Sequence, residues 1–331
     1  MQLQLSFPKP FPSEKMTHKD RILLAGSCFT ENIGRKLQQA KFQALINPHG
    51  ISFSPLAIAS SLEDCFNKKE YQQEDLIFRD ELWHGLDFHT DFSAPNPLTA
   101  LNKMNASVAF AHAFLYRADW LLITAGTAFQ YYLIQEGKEK HPVANCHKIP
   151  AAYFEKRMLE IKEITGRLKM VVSQIRQANP GLKIIWTVSP VRHIRDGLME
   201  NNRSKARLIE AFRQLAEVVH DSWYYPSYEI LIDVLRDYRF YDKDLVHPSM
   251  LATDMIWEQF SQQFFEQPTN DLIRMIQKIR SACQHEVQFP GTGAHRKFVE
   301  NILQQMAAIG EQHPEIDFSE EQARLHSPKK P

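Results

Sequence analysis

The chain has 331 residues, of which 44% are hydrophobic and 24% are charged, and its 39 basic residues are balanced by 39 acidic ones. This balance excludes a broad basic surface for nucleic acid or for an anionic membrane, and no apolar run is long enough to span a bilayer. We therefore predict neither a nucleic-acid partner nor a membrane partner for a chain that can bury a large core.

Strands and helices are predicted to alternate along most of the chain. The apolar strand-like runs are residues 21–25, 42–46, 120–125 and 183–188. The helical patterns are residues 30–42, 55–67, 98–116, 151–179, 204–222 and 248–265, with an insertion of short strands at most over 71–95 and a short strand or helix over 229–235. Such alternation favours a parallel α/β sheet, in which ligands bind beyond the carboxyl ends of the strands.

A break at Pro268 divides the chain into a domain over residues 1–268 and a helical appendage over 269–331. The appendage has two helical patterns and a polar tail, whose last ten or so residues are predicted to be disordered. Its helices would either pack on the first domain or contact a second copy in a homodimer.

The four cysteines, Cys28, Cys65, Cys146 and Cys283, are widely spaced and include no CxxC pair. We expect free thiols in a reducing cytoplasm, although the cysteines could form disulfides if the protein were exported. No signal peptide is predicted at the start of the chain, and no Cys/His spacing typical of zinc is present. We expect no metal and no cofactor.

Ser27 follows the first predicted strand on a tight turn with Gly26. We expect its hydroxyl to be exposed beside helix amides that can stabilise an oxyanion, although a serine at such a place is more often a helix cap. The thiolate of Cys28 would be the stronger nucleophile, but its apolar neighbour favours an inward-facing cysteine.

His247 is a candidate base for Ser27, because Pro248 suits the first position of the closing helix and would leave the imidazole free to reach over the sheet. Asp244, three residues earlier, would orient the ring and stabilise the imidazolium. The alternative interpretation of this pair is an ordinary salt bridge within a loop.

Two further segments are candidates for substrate binding. Arg192 and His193 follow the fourth predicted strand, and the guanidinium would suit a carboxylate or phosphate unless it pairs with Asp196 or Asp242. In the segment VANCHK, Asn145 and His147 are expected to contact substrate, whereas an activated thiol at Cys146 is less favoured.

Six motifs resemble the GSCFA family, which is similar to the SGNH or GDSL-like hydrolases. They are GSCFTENIGRKL, INPHGISFSP, ITAGTAFQY, VANCHKIP, TVSPVRHIRDGL and PSYEILIDVLRDYRFYDKDLVHPS, in order over residues 21–265. The resemblance implies a flavodoxin-like three-layer α/β/α sandwich with a parallel sheet, and it does not extend over the appendage.

The resemblance also implies roles for individual residues. Ser27 matches the nucleophile, Asp244 and His247 match the orienting acid and the base, and Gly50 matches a glycine whose amide would donate to the oxyanion, as would that of Ser27. The third motif departs from the family pattern GxND, so a donor is missing after Gly126, and Thr127 or Asn145 would have to replace it. Loss of one such donor costs roughly 10²–10³ in rate.

These residues predict a serine hydrolase, an esterase that cleaves acyl or acetyl esters of a small molecule or a carbohydrate. The alternatives are an acyltransferase and a non-catalytic carbohydrate-binding module on the same scaffold.

Overall fold

The computed structural model describes Leu5, Pro12 and residues 14–134, 141–285, 289 and 292–326. Within these residues the strands are β1 (Arg21–Gly26), β2 (Gln43–Ile46), β3 (Leu76–Arg79), β4 (Leu82–Gly85), β5 (Trp120–Ala125), β6 (Phe129–Leu133), β7 (His141–Val143), β8 (Phe154–Met158), β9 (Lys183–Val188) and β10 (Ser222–Tyr225). The helices of the same residues are α1 (Cys28–Gln39), α2 (Pro55–Asn67), α3 (Pro97–Leu115), α4 (Ile161–Ala178), α5 (Leu198–Val218), α6 (Ser227–Glu229, continued by a π-helical turn over Ile230–Leu235), α7 (Met250–Phe264), α8 (Gln267–Gln284), α9 (Gly293–Gln312) and α10 (Ser319–His326).

The central sheet of the described chain has five parallel strands in the order β10-β9-β5-β1-β2. Gly26 pairs with Thr124, and Ala125 pairs with Val188, so the carboxyl ends of β1, β5 and β9 lie nearly level with one another. The strand order reverses between β1 and β5. A crevice for ligands is expected beyond this point of the sheet.

Helices cover both faces of the sheet, because successive side chains of each strand point to opposite faces and nearly all of them are apolar. Ile22 and Leu24 pack with α1 and α7 in one core cluster. Leu23 and Ala25 pack with α2, α3, α4 and α5 in another. The protein is therefore a three-layer α/β/α sandwich, as the resemblance implied.

Two elements of the sandwich differ from the sequence prediction. The predicted helix over 204–222 ends at Val218, and the chain turns at Asp221, which has a positive φ of 46°, into the fifth strand, β10. The predicted helix over 151–179 is in fact β8 followed by α4, and β8 pairs with β6 in a separate antiparallel sheet. In both cases pairing with a distant strand outweighs the local helical pattern.

The C-terminal helices share a core cluster of their own, which includes Leu272, Ile276, Ile302 and Met306. They also contact the first domain, since Lys41 forms a 2.6 Å ion pair with Glu321 of α10. Helix α10 extends to residue 326, within the end of the chain for which disorder was predicted, and residues 327–331 lie outside the described part. No helix in the described ranges is long and apolar enough to cross a membrane.

Candidate active site at the carboxyl edge of the sheet

Four polar segments lie at the carboxyl edge of the central sheet. They are Ser27 and residues 47–50, 126–127 and 189–193, which follow β1, β2, β5 and β9. Parallel strands that pair in register must bring such segments together. Ser27 and residues 126–127 flank the point at which the strand order reverses.

Ser27 directly precedes α1 in extended conformation, with φ −72° and ψ 177°. Its amide donates to the Thr124 carbonyl of the neighbouring strand at 3.1 Å, which keeps the residue at the level of the sheet. The side chain is fully buried, so the prediction of an exposed hydroxyl is wrong. The hydroxyl does not cap the helix either, and Oγ has no hydrogen-bond partner among the described residues.

Asp244 and His247 form a close pair in a half-exposed loop. One carboxylate oxygen lies 2.6 Å from His247 Nδ1, while the other accepts the amides of Val246 at 2.9 Å and of His247 at 3.0 Å. These amides and the imidazole lower the pKa of Asp244 to about 2. The carboxylate is therefore charged and holds the ring with Nε2 directed away from it.

Backbone contacts hold the loop around this pair, and no helix begins at Pro248. Asp242 donates its amide to the His247 carbonyl at 2.8 Å, and Pro248 bridges to Tyr241. Helix α7 begins at Met250 instead, because the Ser249 hydroxyl accepts a capping bond at this end. The prediction of Pro248 as the first helical residue is wrong.

His247 makes no hydrogen bond to Ser27, whose Oγ has no partner within the described residues. The ring that packs against the strand ends is that of His193: a Cβ on Gly126 would lie 2.6 Å from His193 Nε2. Burial, followed by the charges of Lys205 and His247, lowers the pKa of His193 to about 3. His193 is therefore neutral at ordinary pH.

The amides expected to bind an oxyanion already donate to carbonyl groups. Gly50 donates to Asn47 at 2.7 Å, and Thr127 donates to Phe53 at 3.1 Å, as Ser27 does to Thr124. The Thr127 hydroxyl lies 3.1 Å from that of Ser204. Each of these groups would have to share or leave its present bond to serve an oxyanion.

A cavity of about 640 Å³ opens beside these strand ends. Its lining includes Thr127, Asn145, His147 and His193, so three of the predicted substrate contacts face one space. Burial lowers the pKa of His147 to about 4, and its Nε2 lies 2.9 Å from the Gly85 carbonyl, which leaves it neutral. The other lining residues are largely aromatic or aliphatic, as in many small-molecule sites.

Arg192 is placed elsewhere, in a smaller pocket that is also lined by Ile232, Arg236, Asp237, Tyr238 and Tyr241. Its guanidinium lies 4.1 Å from the centre of the Tyr241 ring, and its amide donates to the Val246 carbonyl at 3.1 Å. No ion pair of Arg192 with Asp196 or Asp242 is present among the described residues, and its role in binding a substrate anion stays a prediction. Arg192 instead supports the loop that carries His247.

Lys205 is a buried residue of this edge that sequence reasoning missed. Its ammonium group donates to the carbonyls of Gly126 and Ser189 at 2.7 Å each, and so joins the ends of β5 and β9. A signal was present in the sequence, because Lys205 lies three residues before Leu208 and seven before Phe212, on the apolar face of α5.

We expect the free energy of unfolding to depend on the ionisation of Lys205. Burial lowers its pKa to about 7, below the value near 10.4 of an unfolded lysine, so between these pH values the unfolded state binds more protons. Stability should rise with pH in this window, by at most about 1.4 kcal/mol per unit. Urea unfolding at pH 7.0, 8.0 and 9.0 measures the slope.

Lys205→Met should lose the part of the pH dependence of stability that comes from Lys205. Lys169→Met, on the exposed side of α4, is the matched control. Other groups titrate in the same window, so the quantity to compare is the difference in slope between the wild type and each variant. Equal slopes for the wild type and Lys205→Met would contradict a buried, titrating Lys205.

A model described as the GSCFA family matches residues 21–260, and one described as GSCFA domain protein, C-terminal domain, matches residues 276–327. The first match confirms the resemblance of the motifs. The second shows that the resemblance continues into the C-terminal helices, contrary to the sequence interpretation. No curated relative matches the chain.

Two solved structures that resemble the chain are carbohydrate esterases of family 3, each at 11% identity. The enzyme from Clostridium thermocellum aligns over 77% of this chain and 97% of its own, with a TM-score of 0.33. The enzyme from Talaromyces cellulolyticus aligns over 78% of this chain and 99% of its own, with a TM-score of 0.30.

Proposed function

We propose that this chain, which belongs to the GSCFA family, is a serine hydrolase that cleaves acyl or acetyl esters of a small molecule or a carbohydrate. Ser27 is the nucleophile, His247 removes its proton and returns it to the leaving alcohol, and Asp244 holds the imidazole. An activated serine with a base and an orienting acid is the general form of nucleophilic ester hydrolysis.

The observation that carries the proposal is the geometry of Asp244 and His247. A carboxylate fixed by two backbone amides and lying 2.6 Å from Nδ1 selects one tautomer of the imidazole, which leaves Nε2 to accept a proton. An ordinary surface salt bridge needs no such anchoring of its acid.

The cavity beside the strand ends offers room for a substrate; Ser27, Asp244 and His247 are not among its lining residues, but segments that line it are bonded to the neighbours of Ser27. The amide of Ser52 donates to the Gly26 carbonyl at 2.9 Å, and Phe53 accepts the amide of Thr127, so the residues around Ser27 are joined to the cavity wall. Phe53, Phe129 and Phe154 provide apolar surface for the substrate. Closure of the Ser27 and His247 contact would accompany substrate binding, since catalytic contacts often tighten only then.

Covalent labelling with a fluorophosphonate probe tests the proposal. We expect the wild type to be labelled on Ser27 and Ser27→Ala to lose all labelling. Ser52→Ala is the matched control, because Ser52 is also a buried serine of this edge whose Oγ has no partner among the described residues. Labelling that persists in Ser27→Ala contradicts the assignment.

Cys28→Ala separates the serine from the neighbouring thiol. Cys28 packs beside the core, and burial raises the pKa of its thiol, which disfavours the thiolate. We therefore expect Cys28→Ala to be labelled as the wild type is.

A non-catalytic binding module is the second candidate, and the full burial of Ser27 is the observation that favours it. On this account the wild type resists the probe even at high concentration, while acetylated sugars still bind, as calorimetry would detect. Labelling of Ser27 at any practical rate excludes this candidate.

A further inference from the structure

Several buried polar atoms without a hydrogen-bond partner among the described residues gather around the turn at Gly26 and Ser27. They are Ser27 Oγ, Thr30 Oγ1, Asn47 Nδ2, Ser52 Oγ and Thr124 Oγ1. Buried polar groups are almost always paired, so such a group of orphaned atoms at one turn needs an explanation. A polar ligand that enters the turn when Ser27 reacts would supply the missing partner.

Each of these residues is tied to the turn by a contact of its own. Asn47 Oδ1 accepts the Gly26 amide at 2.8 Å, and the Gly26 carbonyl accepts the amide of Ser52. A Cβ on Gly26 would lie 2.9 Å from Thr30 Oγ1. Asn47, Ser52 and Thr30 are therefore all in contact with Gly26, the residue that precedes Ser27.

Asn47 differs from the other members of this group. A hydroxyl can turn to donate or to accept, whereas the amide nitrogen of asparagine can only donate. The bond from the Gly26 amide to Oδ1 fixes the orientation of the Asn47 side chain and so identifies Nδ2 as the free end. Asn47 is 6% exposed, so this unpaired donor is buried.

We propose that Asn47 is a catalytic residue whose Nδ2 donates a hydrogen bond to the oxyanion of the tetrahedral intermediate, an inference that rests on the proposed function. It supplies the side-chain donor that the segment after β5 lacks, from the end of β2 instead. The amides of Ser27, Gly50 and Thr127 already donate to carbonyls, whereas Asn47 Nδ2, on a residue bonded to Gly26, has no partner among the described residues.

Ser27 Oγ forms a bond to the ester carbonyl carbon as its proton passes to His247 Nε2, and the carbonyl electron pair moves onto the oxygen. Asn47 Nδ2 stabilises the charge on this oxygen. The carbonyl then re-forms, the bond to the leaving alcohol breaks, and His247 returns the proton to the alcohol oxygen; water repeats the sequence to release the acid.

Asn47→Asp is the sharpest test, because it keeps an oxygen to accept the Gly26 amide and replaces the donor with a carboxylate oxygen, which cannot donate and whose charge also repels the oxyanion. Aspartate also tolerates the positive φ of 45° at this position. We expect kcat for an aryl acetate to fall by at least about 10²–10³, with little change in KM. Because a carboxylate at this buried position also costs stability, the melting temperature of the variant is measured to show that it is folded under the assay conditions. Asn96→Asp is the matched control, since Asn96 also accepts backbone amides through Oδ1 but lies at the start of α3.

A structure of the wild-type protein after reaction with the fluorophosphonate gives a second readout that does not depend on how the variant folds. We expect Asn47 Nδ2 at roughly 2.7–3.1 Å from the phosphoryl oxygen of the adduct, which imitates the oxyanion. The role of Asn47 is contradicted if Asn47→Asp keeps the kcat of the wild type, or if the adduct oxygen is bound without Asn47. The proposed function still holds in either case, provided that Ser27 is labelled. Absence of any Ser27 adduct overturns both.

Discussion

Replacing His247 by alanine is expected to lower kcat/KM for ester hydrolysis by at least about 10³, with no loss of folding. The imidazole is half exposed and its bonding partner is a neighbour in the same loop, so its removal leaves no buried group unpaired. Without the base, the Ser27 proton has no acceptor at neutral pH. Steady-state hydrolysis of an aryl acetate and the rate of fluorophosphonate labelling should fall together.

Asp244→Asn should lower the same rate by about 10²–10⁴, because an amide cannot hold the imidazole in the tautomer that the carboxylate selects. In the wild type the low pKa of Asp244, about 2, keeps the carboxylate charged, so its titration should produce no limb in the activity profile above about pH 4. A limb that is lost in Asp244→Asn would contradict this assignment.

His220 and Asp221 provide the matched control for both substitutions. They form a similar Nδ1-to-carboxylate contact at 2.8 Å, but they precede β10 and therefore lie at the amino edge of the sheet. His220→Ala and Asp221→Asn should retain wild-type rates. An equal loss of rate in these variants would show that the effect at His247 is not specific to the active site.

Gly26→Ala is expected to destabilise the protein by roughly 4 kcal/mol or more, or to prevent its accumulation in folded form. The residue has a φ of 148°, which side chains rarely adopt, and a Cβ there would lie 2.1 Å from the Thr124 carbonyl oxygen. That oxygen belongs to the backbone of the paired strand β5, so it cannot move aside without breaking the sheet. Thermal unfolding followed by circular dichroism measures the loss.

Gly166→Ala is the opposite case and serves as its control. Gly166 lies inside α4, and a Cβ there meets nothing within 4 Å, so alanine should stabilise the helix by about 0.5–1 kcal/mol. A melting temperature of Gly26→Ala close to that of the wild type would contradict the close approach of β1 and β5 beside Ser27.

Local patterns determined much of this architecture. Glycine, proline or polar residues bound the apolar runs at β1, β5 and β9 and the helix α2. Such residues end a strand or helix through their own backbone preferences, so the ends can be predicted from the local sequence. The pairing of Asp244 with His247 was also predictable, because residues three apart in one loop meet whatever the rest of the fold does. A parallel sheet then required the polar strand ends to share one edge.

Other features depend on residues that are distant in the sequence, and only the tertiary structure decided them. The sequences of β8 and β10 do not by themselves predict strands; these segments are strands because they pair with β6 and β9. The amide of Ser27 bonds to the Thr124 carbonyl of β5, and the Asn47 side chain is oriented by the bond from the Gly26 amide to its Oδ1. The sequence alone pointed to the candidate residue types, but these long-range hydrogen bonds determine which donors are occupied and which have no partner among the described residues.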